Sequence, residues 1–241
     1  MTRRRFFAPP GAFDFTKRTI TLTADEARHL REVLRLKPGD AVSVFDGAGK
    51  EFRGRVAQAR REFAELDLDE EIEPARPESP LQITLAVALL KGEKFDLVVQ
   101  KATELGVYKV VPLTTRFADI KLRDESDATK RVARWQRIAL EAAKQCGRAV
   151  VPEVSLPVTL TVLLDASCLL FSEKGGDGLT QITTDYVTAI VGSEGGWSDE
   201  ELDQARAAGA EIITLGGRTL RAETAAITAT ALLQHRFGDL K

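Results

Sequence analysis

Sulfur and long apolar runs are scarce in this 241-residue chain, and each shortage closes off a class of protein. Cys146 and Cys168 stand alone, with no C-x-x-C and no histidine pair beside them, so neither a disulfide framework nor a zinc site is indicated and no metal is expected. Reduced thiols suit a cytoplasmic protein. No uncharged stretch is long enough to span a membrane, and MTRRRFFAPP lacks the apolar centre of a signal peptide. His29 and His235 are too far apart to suggest a pair, and read as surface or helix-end residues. A net positive charge is missing too: the balance is −2, with 44% hydrophobic and 29% charged residues, the composition of an ordinary globular protein of one or two domains.

The charge is unevenly placed. Residues 1–61 carry fourteen Lys/Arg against seven Asp/Glu, and residues 62–73 then hold seven acids and no base. The first segment reads as a basic module, the electrostatic footprint that nucleic acid requires. Within it Thr19–Leu22 alternates like a short strand, and Thr23 with Glu26 forms a capping box opening a helix over 24–35. Arg28, Arg31 and Arg35 fall at i, i+3 and i+7 of that helix and share a face. Residues 41–45 and 51–59 flank Asp46-Gly47-Ala48-Gly49 as a hairpin, and 63–68 follows as a further strand. A small β-rich barrel with one helix results. Residues 74–80 hold three prolines, which predicts a stiff linker and a domain boundary: 1–73, then 74–80, then 81–241.

The second part opens on Leu81–Leu90, an apolar run suited to a strand buried on both faces. Helices over 94–105 and 127–146, strands beginning at Val110 and over 168–171, and a glycine-rich turn at 173–178 follow. This alternation predicts a parallel-sheet α/β domain. The most informative stretch is Ile190–Arg236. It reads strand, glycine turn (192–196), helix capped by Ser198 and Glu201, strand 211–215, glycine turn (216–217), helix 223–236. Turns at the carboxyl ends of parallel strands are where such folds hold small molecules. Glu194 inside the first turn would repel a phosphate, so a ligand that is neutral or cationic where it meets the backbone fits better.

VGSEGGWSDEE followed by LGGRTLRAETAA closely resembles the cofactor-binding segment of the ribosomal RNA small subunit methyltransferase E family, within the SPOUT superfamily. RRFFAPPG, HLREVLRLKPGD, FDGAGKEF, KGEKFDLVVQKATELGV and RWQRIALEAAKQCGR resemble its other segments. Ser193 stands where the family pattern has proline, Gly217 and Ala222 are milder departures, and Phe117 follows Arg116 where serine is usual. The resemblance implies S-adenosylmethionine-dependent methylation of N3 of a uridine in small-subunit (16S) ribosomal RNA. It also implies a PUA-like RNA-binding domain, a C-terminal trefoil knot and a homodimer.

On this basis Gly192, Ser193, Glu194, Gly195, Gly196, Leu215, Gly216, Leu220, Arg221 and Thr224 are the expected cofactor contacts. Arg221 as charge stabiliser and Glu223 as base or orienter, with Glu194 as the alternative base, are the expected catalytic groups, because a protonated imide nitrogen has no free pair to attack with. Arg3, Arg4, Arg5, Arg28, Arg31, Arg35, Lys91 and Lys94 are the expected RNA contacts. Two other classes compete. A dinucleotide-dependent oxidoreductase would need G-x-G-x-x-G after the first strand of the α/β domain, which is missing; a non-catalytic ribosome-assembly factor draws on Ser193 and Gly217.

Overall fold

The computed structural model describes residues 4–118, 120–179 and 181–241. It divides into two compact units, Met1–Glu78 with Ala143–Val151, and Ser79–Ala142 with Pro152–Lys241.

The first unit holds β1 (Arg5–Phe7), β2 (Phe13–Asp14), β3 (Thr19–Leu22), α1 (Ala24–Arg28), β4 (Ala41–Phe45), β5 (Glu51–Ala59) and β6 (Ala64–Ile72). Its six-stranded sheet runs in the order β1-β4-β5-β6-β3-β2, with β1 parallel to β4 and the other pairs antiparallel. Alternate residues of these strands (Phe6, Ile20, Leu22, Val44, Leu66) meet Leu30 in the core. Gly54 sits at a register shift between β5 and β6, and a Cβ there would lie 2.5 Å from the carbonyl oxygen of Asp67.

The expected helix over 24–35 is shorter and broken. α1 passes at His29 into a π-helical turn ending at Val33, closed by Leu34 N–H donating to the His29 carbonyl at 3.0 Å. Arg35 then adopts φ +53, which lets Leu36 N–H reach the Leu30 carbonyl at 3.0 Å and buries the Leu36 side chain beside Leu30. Burial of Leu36 overrides the 3.6-residue pattern. The Thr23 side chain makes no cap, and Glu26, the other half of the expected box, is buried and accepts from Lys144 Nζ at 2.6 Å.

Residues 143–151 were expected within the second domain but pack in the first unit, around a buried cation. The Arg5 guanidinium donates to both carboxylate oxygens of Glu51, at 3.0 and 3.1 Å, and to the carbonyl of Arg148 at 2.9 Å, and it lies 3.9 Å over the Phe45 ring. Arg148 pairs with Glu78 at 2.6 Å, and Val151 N–H donates to the Gly47 carbonyl at 2.9 Å. The basic character of residues 1–61 is offset by the acids of β6, which extends to Ile72 alongside β5: Arg53 pairs with Glu70, Arg55 with Asp69 (3.5 Å) and Lys50 with Glu71 (3.4 Å). Residues 1–73 in total hold fourteen bases and fourteen acids, so any attraction for RNA is a property of one face and not of the whole segment.

The second unit contains β7 (Gln82–Ala88), α2 (Lys94–Glu104), β8 (Lys109–Thr114), α3 (Glu125–Cys146, its last turn belonging with the first unit), β9 (Glu153–Val154), β10 (Val158–Thr159), β11 (Cys168–Phe171), β12 (Tyr186–Val191), α4 (Asp199–Ala207), β13 (Glu211–Ile213) and α5 (Ala222–Phe237). Every strand pair is parallel, in the order β10-β8-β7-β12-β11-β13, with β9 beside β8. Ala86, Val111, Leu113, Leu170, Ile190 and Ile212 form one face of this sheet, packed with Leu202 and Ala205 of α4. α5 packs on β7, β12 and α2. The near-continuous apolar strands are those of a sheet covered on both sides.

Candidate active site

β11, β12 and β13 run parallel, so their carboxyl ends lie at one edge of the sheet, and both glycine turns leave from it. After β12, Gly192 and Ser193 are buried and the turn closes by Gly196 N–H donating to the Ser193 carbonyl at 3.0 Å. Gly196 has φ +71, where a side chain would be strained. The indole of Trp197 donates to the Phe171 carbonyl at 2.9 Å, tying the turn to the end of β11. Gly195 has no positive φ; its lack of a side chain answers a different need, since a Cβ there would stand 2.7 Å from Phe117 Cβ and 3.1 Å from the Phe117 carbonyl oxygen.

α4 begins with the expected capping box. Ser198 Oγ accepts from Glu201 N–H at 3.2 Å, and Glu201 accepts from Ser198 N–H at 3.0 Å. The other oxygen of Glu201 accepts from Arg116 N–H at 3.0 Å, and the Arg116 guanidinium pairs with Glu200 at 3.2 Å. One helix start therefore fixes both the glycine turn and the loop carrying Phe117.

Between the two turns lies a cleft of about 940 Å³, a figure that takes in solvent at its mouth. Eight expected cofactor residues line it: Gly192, Ser193, Glu194, Gly195 and Gly196 from the first turn, Leu215, Gly216 and Leu220 from the second. Arg221 and Thr224 do not. Both are exposed, and the positions one residue on, Ala222 and Ala225, spaced by three on α5, line the cleft instead. Sequence reasoning also missed Trp197, Arg218, Thr219 and the segment Phe171–Lys174. Phe171 pairs with Val191 in register, so the predicted strand 168–171 held the clue: its carboxyl end had to abut the first turn.

The cleft suits a bound molecule of mixed character. Phe171, Leu202, Leu215 and Leu220 give it apolar walls, while Ser193 Oγ is buried with no hydrogen-bond partner. A buried hydroxyl without a partner is uncommon in a finished fold, and a ligand polar atom would satisfy it.

Of the expected catalytic groups, Glu194 and Glu223 come together, and Arg221 lies nearby on the exposed N-cap of α5, outside the cleft lining. What joins the carboxylates is Lys94, expected as an RNA contact: its Nζ donates to Glu194 Oε1 at 2.5 Å and lies 3.9 Å from Glu223 Oε2. The Glu194 hydrogen bond raises the proton affinity of Lys94 above its ordinary value against partial desolvation, with the charges of both carboxylates adding and that of Arg221 opposing. Lys91 is exposed in the turn after β7.

Two family descriptions match the chain: RNA methyltransferase domain over residues 77–234, and RNA methyltransferase PUA domain over residues 22–69. A "Ribosomal RNA small subunit methyltransferase E" from Synechocystis is 35% identical over 225 residues, covering 88% of this chain and 72% of the relative. The chain belongs to the ribosomal RNA small subunit methyltransferase E family. Two solved structures are similar over at least 99% of the chain. One is a methyltransferase of that name from Neisseria gonorrhoeae bound to S-adenosyl methionine (TM-score 0.88, 33% identity, 99% of this chain and 100% of that one). The other is from Legionella pneumophila, in complex with bound SAM (TM-score 0.87, 32% identity, 100% of both chains).

The expected RNA contacts of the family's PUA domain fare unequally. Arg5 is the correction: its side chain is 4% exposed and held by Glu51, so it is unavailable to a phosphate. Arg4 is exposed and pairs with Asp40 at 3.3 Å. Arg28 and Arg31 both reach Glu32, at 3.3 and 3.2 Å, while Arg35 lies beyond the helix, so the three do not form a helical stripe. Arg3 lies outside the described residues.

Proposed function

We propose that this protein is an S-adenosylmethionine-dependent methyltransferase that modifies N3 of a uridine in small-subunit ribosomal RNA. The carrying observation is the cleft, where glycines leave room beside the backbone, Ser193 Oγ awaits a partner and Glu194 brings negative charge. Glu194 can face a sulfonium, while Lys174 and Arg218 balance the two acids, Glu173 and Glu194, of the lining as a whole. When bound, S-adenosylmethionine supplies a methyl group on a positively charged sulfur. Ser193 would hold it by hydrogen bonding, and Leu202, Leu215, Leu220 and Trp197 would exclude water from it.

Glu223 is the group for the N3 proton. Its side chain is 13% exposed and Oε2 is buried without a hydrogen-bond partner, so it keeps acceptor capacity. Arg221, exposed at the mouth of α5, suits an RNA phosphate better than the reacting ring. Arg4, Arg28, Arg31 and Arg35 are the candidates for RNA contact in residues 1–73, with 74–80 as linker and 81–241 as catalytic domain.

The same reading carries a trefoil knot, a homodimer and a cytoplasmic location. No helix among the described residues is long and apolar enough to cross a membrane, and they contain no cluster of metal ligands.

The test is incubation with labelled S-adenosylmethionine and unmethylated small subunits, then nucleoside analysis. Label in N3-methyluridine is expected. Label in another nucleoside would overturn the position, and cofactor binding without transfer would return the chain to the assembly-factor reading.

A further inference from the structure

Three charged side chains from three separate elements converge at one rim of the cleft: Lys94 at the start of α2, Glu194 in the first glycine turn and Glu223 in the first turn of α5. One ammonium faces two carboxylates. It is hydrogen-bonded to Glu194 at 2.5 Å and stands 3.9 Å from Glu223 Oε2, which no other group satisfies. Glu194 also lines the cleft, so this cluster borders the space a bound cofactor would fill. As a purely structural arrangement it is poor. A half-exposed pair holds little together, and the buried oxygen of Glu223 remains unpaired.

We propose that Lys94 is a catalytic residue, the cation that faces the uracil carbonyl oxygen on which negative charge builds when N3 loses its proton. The proposal rests on the methyl-transfer reading above. The Glu223 carboxylate takes the N3 proton. The freed N3 electron pair forms the bond to the methyl carbon as the carbon–sulfur bond breaks, and that pair stays on sulfur, leaving a neutral thioether. Glu223 then returns its proton to water. Lys94 neither gains nor loses a proton; it moves from Glu194 to the carbonyl, which leaves the Glu194 carboxylate to face the sulfonium. A compact ammonium on a flexible stem is suited to such an exchange of partners. The Glu194 hydrogen bond raises the proton affinity of Lys94 before the exchange, so it enters the step as a cation. Arg221, the other nearby cation, is exposed on the N-cap of α5; neither it nor Lys94 is part of the cleft lining, and it is Lys94 that is paired with both carboxylates.

The experiment compares wild type, Lys94→Ala, Lys94→Arg and Glu223→Gln. Single-turnover methyl transfer to unmethylated small subunits at saturating cofactor is set beside calorimetric titration with S-adenosylhomocysteine. Lys94→Ala is expected to slow transfer about 100-fold or more, the usual cost of losing one group that faces developing charge. S-adenosylhomocysteine affinity should change by no more than about threefold, a loss far smaller than the tenfold that each 1.4 kcal/mol represents. Lys94→Arg should recover part of the rate. Added methylammonium should accelerate Lys94→Ala but neither wild type nor Glu223→Gln. A wild-type rate in Lys94→Ala overturns the proposal. So does a slow variant that loses S-adenosylhomocysteine affinity in proportion and ignores the amine, because that is the signature of a role in shaping the turn. If wild type itself transfers no methyl group, the methyl-transfer reading fails, and the proposal with it.

Discussion

The first glycine turn offers a graded test, because its glycines are required for different reasons. An alanine at 195 would put its Cβ 2.7 Å from Phe117 Cβ and 3.1 Å from the Phe117 carbonyl oxygen, where ordinary contact begins at 3.4 Å. Both atoms are backbone or backbone-fixed. Their loop is pinned by Arg116 N–H on Glu201 and by Ala118 N–H on the Thr115 carbonyl, so several tenths of an ångström must come from the turn itself. Overpacking of this kind costs about 1–3 kcal/mol. If the turn shifts only when ligand demands the native geometry, the cost appears in binding, as roughly 5- to 150-fold weaker affinity for S-adenosylhomocysteine. Gly195→Val should be worse than Gly195→Ala. Gly217→Ala is the control, since its Cβ meets nothing within 4 Å and its φ is not in the left-handed range. Phe117→Ala should fail to rescue Gly195→Ala, because alanine keeps the offending Cβ, whereas Phe117→Gly should rescue in part. Calorimetric titration decides it. Equal affinities for Gly195→Ala and Gly217→Ala would refute the reasoning.

Other outcomes follow from the first unit and from the buried thiol. Arg5→Met strands Glu51 without its partner and should cost about 3–5 kcal/mol in denaturant unfolding, while leaving the salt dependence of RNA binding unchanged because Arg5 is buried. Burial pushes the Glu51 carboxyl up, but Arg5 and the Ala75 amide outweigh it and hold it below its ordinary 4.5. Its contribution is therefore present above that value and is lost as pH falls through the lower folded value, so Glu51→Gln should flatten the acid limb of a stability–pH curve. Arg28→Ala and Arg35→Ala should each flatten the slope of log RNA affinity against log salt by about 0.7 to 0.9, and an unchanged slope would make them solvated charges only. Burial raises the Cys168 thiol to about 11, so it should resist alkylation at pH 8 until the protein is unfolded.

Much was legible in the residues alone because the deciding interactions are local. Ser198 and Glu201 form their capping box within one turn of helix, and Cys168–Phe171 appears with the bounds its apolar run predicts. The glycine turns announce a site because few other residues permit such backbone, and Glu194 within the first already argues against a phosphate. Three features depended on partners distant in sequence. The helix after Thr23 breaks because Leu36 must reach the core, which a repeat of 3.6 cannot reveal. Arg5, one of three consecutive arginines, is removed from the surface by Glu51 and Arg148, and β6 offsets the charge of residues 1–61 only because it lies against β5. Lys94 meets Glu194 one hundred positions later because β7 and β12 are neighbours in the sheet, so that α2 and the first glycine turn leave adjacent strand ends. Local chemistry, written in spacing, marked the glycine turns; strand order, a property of the whole fold, chose the cation that stands beside them.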